Sequence, residues 1–419
     1  MFSENTLDIT TVPQYTAPQN IVLQNTDPKN TLQASLALFH LPGVGPNRYH
    51  KLVEWFGSAL AVISGDRKLI QAAGVKPAST RLLDEYARSG LNSQLGRLVE
   101  RDLEWLTHFG NTILLLDDDD YPPLLKHIDS PPPVLFVRGD SKLLSEPQLA
   151  IVGSRNPSID GKDNAYRFAK TLVNVGLTVT SGMALGVDGS AHQGAIDGGG
   201  HTIAVMGTGA DIIYPARHRN LADKILEKGV IVSELPLGTQ PQPSNFPRRN
   251  RIISALSMGV LVVEASPRSG SLITAHCALD QGREVYAIPG SINNPMARGC
   301  HQLLKQGAKL VESAEDIFEE LSSLLAFHQF VRNEPVNENS NPAPVPQDLF
   351  DHEAVQELTE QEQSLLKLIG YDVASVDAVV ERSELSVEDV SFQLMSLELK
   401  GLVQSVPGGF QRCREQGPA

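Results

Sequence analysis

Cysteine is scarce and scattered. Cys277, Cys300 and Cys413 stand far apart in 419 residues, and none belongs to a CxxC pair. That excludes a disulfide framework and a zinc motif and fits a reducing cytosol. Long apolar runs are also missing. The N-terminus is polar, without the hydrophobic stretch of a secretory signal, so a cytoplasmic protein with no membrane insertion is expected. Positive charge is in deficit, with a formal net charge of -14 at pH 7. This balance argues against indiscriminate binding to nucleic acid or membranes, but screening lets a local basic site act independently of the sum. The absence of GxxxxGK[ST] argues against a Walker-type ATPase. The GxG at Gly207-Thr208-Gly209 lacks the third glycine of a dinucleotide fingerprint. No cofactor and no metal is expected.

What is present is an ordinary globular composition, 41% hydrophobic and 20% charged, in a chain long enough for roughly two to four domains. Residues 1–30 are polar with scattered prolines and read as a flexible tail. Residues 31–110 carry helical spacing. Leu32, Leu36, Leu38 and Phe39 lead into Leu41-Pro42-Gly43-Val44-Gly45-Pro46, and Tyr49, Leu52, Val53 and Phe56 follow on a second helix. Helix, GVG turn, helix resembles a helix-hairpin-helix (SAM-like) unit, whose turn can offer N–H groups to a phosphate. With no second copy and no strongly basic flank, a plain αα corner is the preferred reading. Thr112–Leu116 reads as a strand. The four acids Asp117 to Asp120 after it read as a solvated loop, because consecutive acids rarely converge on one ion. Val134–Val137, beside two proline clusters, reads as an edge strand.

From Leu149 the chain alternates regularly. Leu149–Val152, Leu177–Thr180, Thr202–Met206, Val230–Ser233, Val260–Glu264, Glu284–Ile288 and Lys309–Val311 read as strands, with helical patterns between them closed mostly by glycine. Asp160 is a plausible N-cap for the first of these helices. Short, nearly continuous apolar strands imply a parallel sheet covered on both faces. The expected fold is therefore α/β. A central extended Rossmann-like sheet spans 111–326. It follows an all-α (SAM/helix-hairpin-helix-like) domain and precedes a linker at 327–352 and a winged-helix domain at 353–413. The would-be recognition helix of the last domain carries Glu388, Asp389 and Glu398, with only Lys400 following. An acidic helix repels phosphates, which points to a protein-contact or regulatory role.

In a parallel sheet, ligands bind outside the carboxyl ends of the strands, so the loops there carry the functional reading. Gly153-Ser154-Arg155 supplies N–H donors, a hydroxyl and a guanidinium fork, a set suited to phosphate. Ser181-Gly182 opens a loop of small residues that permits close backbone approach. Asp188 and His192, one turn apart, could form an acid/base pair; an intrahelical pair is the simpler reading. The segment from Pro236 to Arg251 reads as a loop with four prolines that ends in Phe246-Pro247-Arg248-Arg249-Asn250-Arg251. An aromatic beside three arginines has the composition of a base-stacking and phosphate-binding site. The alternative makes Phe246 a core anchor and the arginines a solvated helix start. Cations at a helix N-terminus are disfavoured unless an anion is shared, which favours the functional reading. Ser269-Gly270-Ser271 forms a second anion cradle before a helix expected to begin near Leu272.

At these loops the chain resembles the DprA/Smf (DNA-processing protein A) family. The resembling runs are VGSR at Val152–Arg155, SGMALGVD at Ser181–Asp188, GTGAD at Gly207–Asp211 with Tyr214-Pro215, FPRRNRII at Phe246–Ile253, SGSLITA at Ser269–Ala275 and AIPG at Ala287–Gly290. The resemblance implies a bacterial cytosolic protein that binds single-stranded DNA through its Rossmann-like domain. It also implies a homodimer that loads the RecA recombinase onto that DNA during natural transformation. It places DNA contacts at Arg155 and at Phe246, Arg248, Arg249 and Arg251, and no catalytic residue.

Two function classes follow. A non-enzymatic binder would use Gly153, Ser154, Arg155, Ser181, Gly182, Phe246, Arg248, Arg249, Asn250, Arg251, Ser269 and Gly270. Substituting Arg155, or Arg249 with Arg251, is then expected to weaken binding without unfolding. A nucleotide N-glycoside hydrolase would use Glu234 or Glu264, at strand carboxyl ends, as general base. The plain alternative for both glutamates is pairing with neighbouring arginines.

Overall fold

The computed structural model describes residues 28–321 continuously and individual positions between 365 and 412. The expected linker at 327–352, the tail ahead of Pro28, Cys413, Glu388 and Lys400 lie outside the described residues.

Six helices lead the chain: α1 (Pro28–Phe39), α2 (Pro46–Phe56), α3 (Ala59–Ser64), α4 (Arg67–Ala72), α5 (Pro77–Ser89) and α6 (Gln94–Leu106). Their boundaries have local causes. Pro46 and Pro77 occupy first-turn positions that lack an N–H requirement, and Ser58, Asp66 and Ser93 accept from free amides as N-caps. Among the described residues α1 is already helical at Pro28, inside the stretch expected to be tail. In the GVG turn Gly43 has φ +80°, and the Arg48 guanidinium occupies its carbonyl.

Next come β1 (Asn111–Leu115), the short α7 (Pro123–Lys126) and β2 (Val134–Gly139). The alternating region supplies β3 (Gln148–Val152), α8 (Ile159–Asn174), β4 (Thr178–Ser181), α9 (Val187–Asp197), β5 (Thr202–Val205), α10 (Arg219–Lys228) and β6 (Val230–Ser233). It continues with α11 (Asn245–Leu256), β7 (Gly259–Val262), α12 (Gly270–Asp280), β8 (Glu284–Ala287), α13 (Arg298–Lys305) and β9 (Lys309–Leu310). Residues 314–321 are helical. The N-cap of α8 is Ser158, which accepts from Gly161 N, and Asp160 sits in the first turn. The serine reaches the free amide three residues on, so the cap lies two residues earlier than expected.

The sheet has nine strands in the order β1-β2-β6-β5-β4-β3-β7-β8-β9. From β6 to β9 every pairing is parallel; β2 runs antiparallel to both β1 and β6. Val134–Val137 is thus not an edge strand. It lies between β1 and β6, with Ile113 opposite Phe136 and Phe136 opposite Ser233. Its flanking prolines suggested an edge, but they stand outside the paired residues and remove no ladder donor.

Pleating sends successive side chains to opposite faces. Ala150 and Val152 of β3 join Val205, Val232, Ile253 and Leu272 on one side; Leu149 and Ile151 join Ala165, Phe168 and Leu172 on the other. The same alternation splits β2: Leu135 and Val137 enter the first cluster, whereas Val134 and Phe136 pack with α1 to α6. The Phe136 ring lies 5.8 Å from Phe39 and 5.7 Å from Trp105. The leading helices therefore share a hydrophobic core with the antiparallel end of the sheet.

A second compact unit begins at Pro335. Within it, β10 (Val403–Val406) and β11 (Gly409–Arg412) form an antiparallel hairpin, and Leu365, Val379, Val390, Leu394, Leu397 and Val403 make a small core. Asp389 and Glu398 are exposed.

Candidate nucleic-acid interface

The chain runs outward from β3 through β4 and β5 to β6, then crosses back to place β7 on the other side of β3. Such a reversal opens a crevice at the carboxyl ends of the two strands. Here a cleft of about 780 Å³ lies over it. Its walls include Gly153, Ser154 and Arg155 after β3, Ser269 and Gly270 after β7, and Phe246, Arg249 and Asn250 from α11. These loops are tied by backbone bonds. Ser154 N donates to Glu264 O at 2.7 Å, and Val187 N donates to Ser154 O at 3.1 Å. Gly153 is required where the turn passes α9: a Cβ there would lie 2.7 Å from a Val187 methyl.

Arg155 is exposed, and its guanidinium carbon sits 5.5 Å from the centre of the Phe246 ring. The Tyr214 ring lies 5.7 Å from Phe246, tilted by 41°. Phe246 rests on Gly207, where a Cβ would come within 2.7 Å of the ring. A cation and two aromatics are thus clustered on the cleft wall around Phe246. Tyr214, 43% exposed, was not among the expected site residues. Its place just past the Gly207-Thr208-Gly209 loop marked the strand end, but not its contact with Phe246. Pro241, Pro243 and Pro247 add rigid apolar wall, and Ser269 caps α12 by accepting from Ser271 N. That helix begins at Gly270, two residues earlier than expected.

The basic segment is helical. Asn245 opens α11, so Arg248, Arg249 and Arg251 fall in its first two turns and Ser244 offers no side-chain cap. The four prolines between Pro236 and Arg251 suggested a longer loop, but Pro247, inside the helix near its start, needs no N–H partner. The three arginines diverge. Arg248 and Arg251 leave the cleft and pair with Glu234, Arg248 at 3.3 Å; Arg251 also donates to Ser130 O at 2.8 Å. Arg249 reaches the cleft floor but is only 4% exposed. It donates to Gly182 O at 2.7 Å and to Val205 O, joining α11 to the loops after β4 and β5. Burial pulls this guanidinium down to about 10, with Asp188 opposing the shift.

Ser181 and Gly182, expected at the surface, are buried and do not line the cleft. Ser181 donates to Ile151 O at 2.6 Å. Gly182 sits between two charges: a Cβ there would lie 2.6 Å from Arg249 Nη2 and 2.8 Å from Asp188 Oδ2. Asp188 accepts from Gly182 N and Ala184 N, both at 3.2 Å. Between them Met183 takes φ +61°, a left-handed conformation that costs a non-glycine residue of order 1 kcal/mol. Burial raises the Asp188 carboxyl against the pull of Arg249 and the two amides.

Asp188 and His192 form neither of the pairs expected. His192 Nδ1 lies 2.7 Å from Thr202 Oγ1, whose own proton goes to Val179 O at 2.7 Å, so Nδ1–H is the donor. Burial holds this imidazole down at about 3. The two candidate general bases are also committed. Glu234 pairs with the arginines, and Glu264 accepts from Ser158 N at 2.8 Å and Ser158 Oγ at 2.6 Å. Neither lines the cleft. Among the described residues no group of three or more His, Cys, Asp or Glu is placed to hold a metal, and no helix is long and apolar enough to cross a membrane. Asp118 of the acidic run accepts from Leu115 N at 2.7 Å.

The family model for DNA recombination-mediator protein A matches residues 112–322, and the DprA winged helix domain model matches 351–409. The chain is 46% identical over 317 residues to Protein Smf of Escherichia coli, covering 75% of this chain and 81% of that protein. It is 42% identical over 263 residues to the DNA processing protein DprA of Bacillus subtilis, covering 61% and 82%. The X-ray structure of DNA processing protein A from Streptococcus pneumoniae superposes with TM-score 0.61 at 34% identity, covering 69% of this chain and 97% of that one. With its mostly parallel nine-stranded sheet, leading helices and winged-helix unit, the chain belongs to the DprA/Smf family of DNA recombination mediators.

Proposed function

We propose that the cleft binds single-stranded DNA and that the protein delivers this DNA to the RecA recombinase during natural transformation, as a cytoplasmic homodimer without catalytic chemistry of its own. The carrying observation is the cluster of Arg155 and Tyr214 about Phe246 at the strand-order reversal. An exposed guanidinium offers a phosphate a forked donor, and ring faces accept any unpaired base. A duplex presents neither splayed bases nor unstacked edges to such rings, so the chemistry favours a single strand. In a chain of net charge -14, one local cationic mouth gives selectivity for the ligand that fits it. The recombinase hand-off follows from the mediator character of the family. For self-association, Ile273 and Leu279 on α12 expose apolar surface, 39% and 48% respectively.

The test is a fluorescence-polarisation titration of a labelled thymidine oligonucleotide over a range of salt, with a hairpin duplex as control. Single-strand preference that is lost in Arg155→Ala supports the reading. Equal affinity of the wild type for both ligands, or undiminished binding by Arg155→Ala, ends it. A recombinase-nucleation assay on the same oligonucleotide tests the hand-off, with Arg155→Ala expected to abolish the stimulation.

A further inference from the structure

A second cleft of about 590 Å³ adjoins the first, and the two share Arg155 and Asn156. The turn after β3 is therefore a ridge with a groove on each side. The second groove runs between α8, α9 and the segment before α10, and its walls include Lys162, Tyr166, Gln193 and Arg217.

The ridge is held firmly. Gly186 approaches the turn with φ +81°, and a Cβ there would lie 2.6 Å from Pro157 Cδ. His218 Nδ1 bonds Met183 O at 2.9 Å, anchoring the segment that carries Arg217. Lys162 and Tyr166 stand four residues apart on α8, so they share one face. The Tyr166 hydroxyl donates to Asp197 Oδ2 at 3.2 Å, and Gln193 donates to Asp197 Oδ1 at 2.6 Å, which orients the ring.

Charge gives the groove its meaning. Arg155, Lys162 and Arg217 are all exposed, and among the described residues none of the three forms an ion pair. By contrast Arg248 and Arg251, the arginines of the most basic stretch, share the single carboxylate of Glu234, which offsets one of their two charges. Three exposed cations without an ion pair thus line the second groove, and one of them, Arg155, lines the first cleft as well.

We propose that a single strand crosses the Arg155 ridge and continues into the second groove, where Lys162 and Arg217 take backbone phosphates and the Tyr166 ring takes a base. This rests on the reading of the first cleft as the single-strand site. The ligand class is a polyanion with aromatic faces at regular spacing; a free phosphate would use the cations but gain nothing from the ring.

The experiment compares two oligothymidylates, of about four and about sixteen nucleotides, a range that spans single-strand site sizes. They are titrated against the wild type, Arg155→Ala, the double variant Lys162→Ala/Arg217→Ala, and Tyr166→Leu. Removing one cation from a single-strand phosphate flattens the log–log salt slope by about 0.7. The double variant is expected to lower the ratio of long to short affinity and to flatten the long-oligonucleotide slope by about twice that amount. Tyr166→Leu is expected to lower the same ratio at constant slope. If Arg155→Ala weakens both oligonucleotides while the double variant keeps the wild-type ratio and slope, the strand does not enter the second groove and the first-cleft reading survives. A double variant that weakens both lengths equally overturns the extension as well. If Arg155→Ala itself binds both as the wild type does, the first-cleft reading has failed. Matching melting temperatures establish that these surface changes leave the fold intact.

Discussion

The Arg155 guanidinium carbon lies 5.5 Å from the centre of the Phe246 ring, although 91 positions separate them in the chain. The contact bridges the turn after β3 and the first turn of α11, the two sides of the proposed strand path. It also leaves the guanidinium without a carboxylate partner among the described residues. Replacing Arg155 by alanine should flatten the salt slope of single-strand binding by about 0.7. Lysine should restore the slope but not the affinity, because an ammonium keeps the charge and lacks the planar fork. Polarisation titrations of the three proteins check both statements.

Phe246→Ala removes the central ring of the cluster and should weaken single-strand binding by roughly 1–3 kcal/mol, with the salt slope unchanged. Tyr214→Ala should act in the same direction. A flattened slope in either variant would mean the rings act through Arg155 rather than on bases.

Arg249 behaves differently from Arg155. Its guanidinium is buried between loop carbonyls and faces Asp188 across Gly182. Alanine there leaves two buried carbonyls without their donor and removes the nearby positive charge that favours the Asp188 carboxylate, and should cost about 1–3 kcal/mol of stability. Urea denaturation of Arg249→Ala is expected to show the loss directly, so any fall in DNA affinity arrives with partial unfolding. Weakened binding in an intact fold is therefore predicted for Arg155→Ala and not for Arg249→Ala.

The stability of the folded chain should fall on acidification because of His192. Its folded value, about 3, lies below the ordinary 6.5. Both states are neutral above 6.5. Below it the unfolded chain takes up the proton first, so stability is lost as pH falls from 6.5 toward 3, by at most about 1.4 kcal/mol per pH unit. Asp188, raised by burial, contributes with the opposite sign. Comparing wild type with His192→Gln isolates the histidine: the variant should show a shallower dependence of melting temperature on pH across that window.

Glu234→Gln tests the remaining enzymatic alternative. The carboxylate is 4% exposed and holds Arg248 and Arg251 outside the cleft. The variant should lose roughly 1–3 kcal/mol of stability and bind single strands as the wild type does. Release of free base from nucleoside monophosphates by the wild type, abolished in Glu234→Gln, would contradict the binding reading.

Much of the sheet was legible because parallel strands buried on both faces write themselves as short apolar runs, as in Val230–Ser233, where expected and observed bounds agree. Pairing was not legible. Nothing in Val134–Val137 shows that β6 offers it a free edge. Residue type pointed to the site through Arg155 and Phe246, but direction did not follow from composition. Of three arginines within four positions of one helix, Arg248 and Arg251 share a face and Arg249 points elsewhere, and only the fold reveals that Glu234 claims the first two. Tyr214 escaped because its contact with Phe246 spans the β5 and β6 loops, a distance no local pattern records.

Phe136 lies wholly shielded between the leading helices and the sheet, touching Phe39 and Trp105. A fragment begun at Asn111 would hold every strand and the entire cleft, yet it would bare this ring and Val134 along one flank of β2. Wetting each would forfeit about 1.5–3 kcal/mol and create an adhesive apolar strip. The helical preface is thus a hydrophobic cover, and shortened versions of this chain will need a solubilising replacement for it before their DNA affinity can be compared with that of the whole.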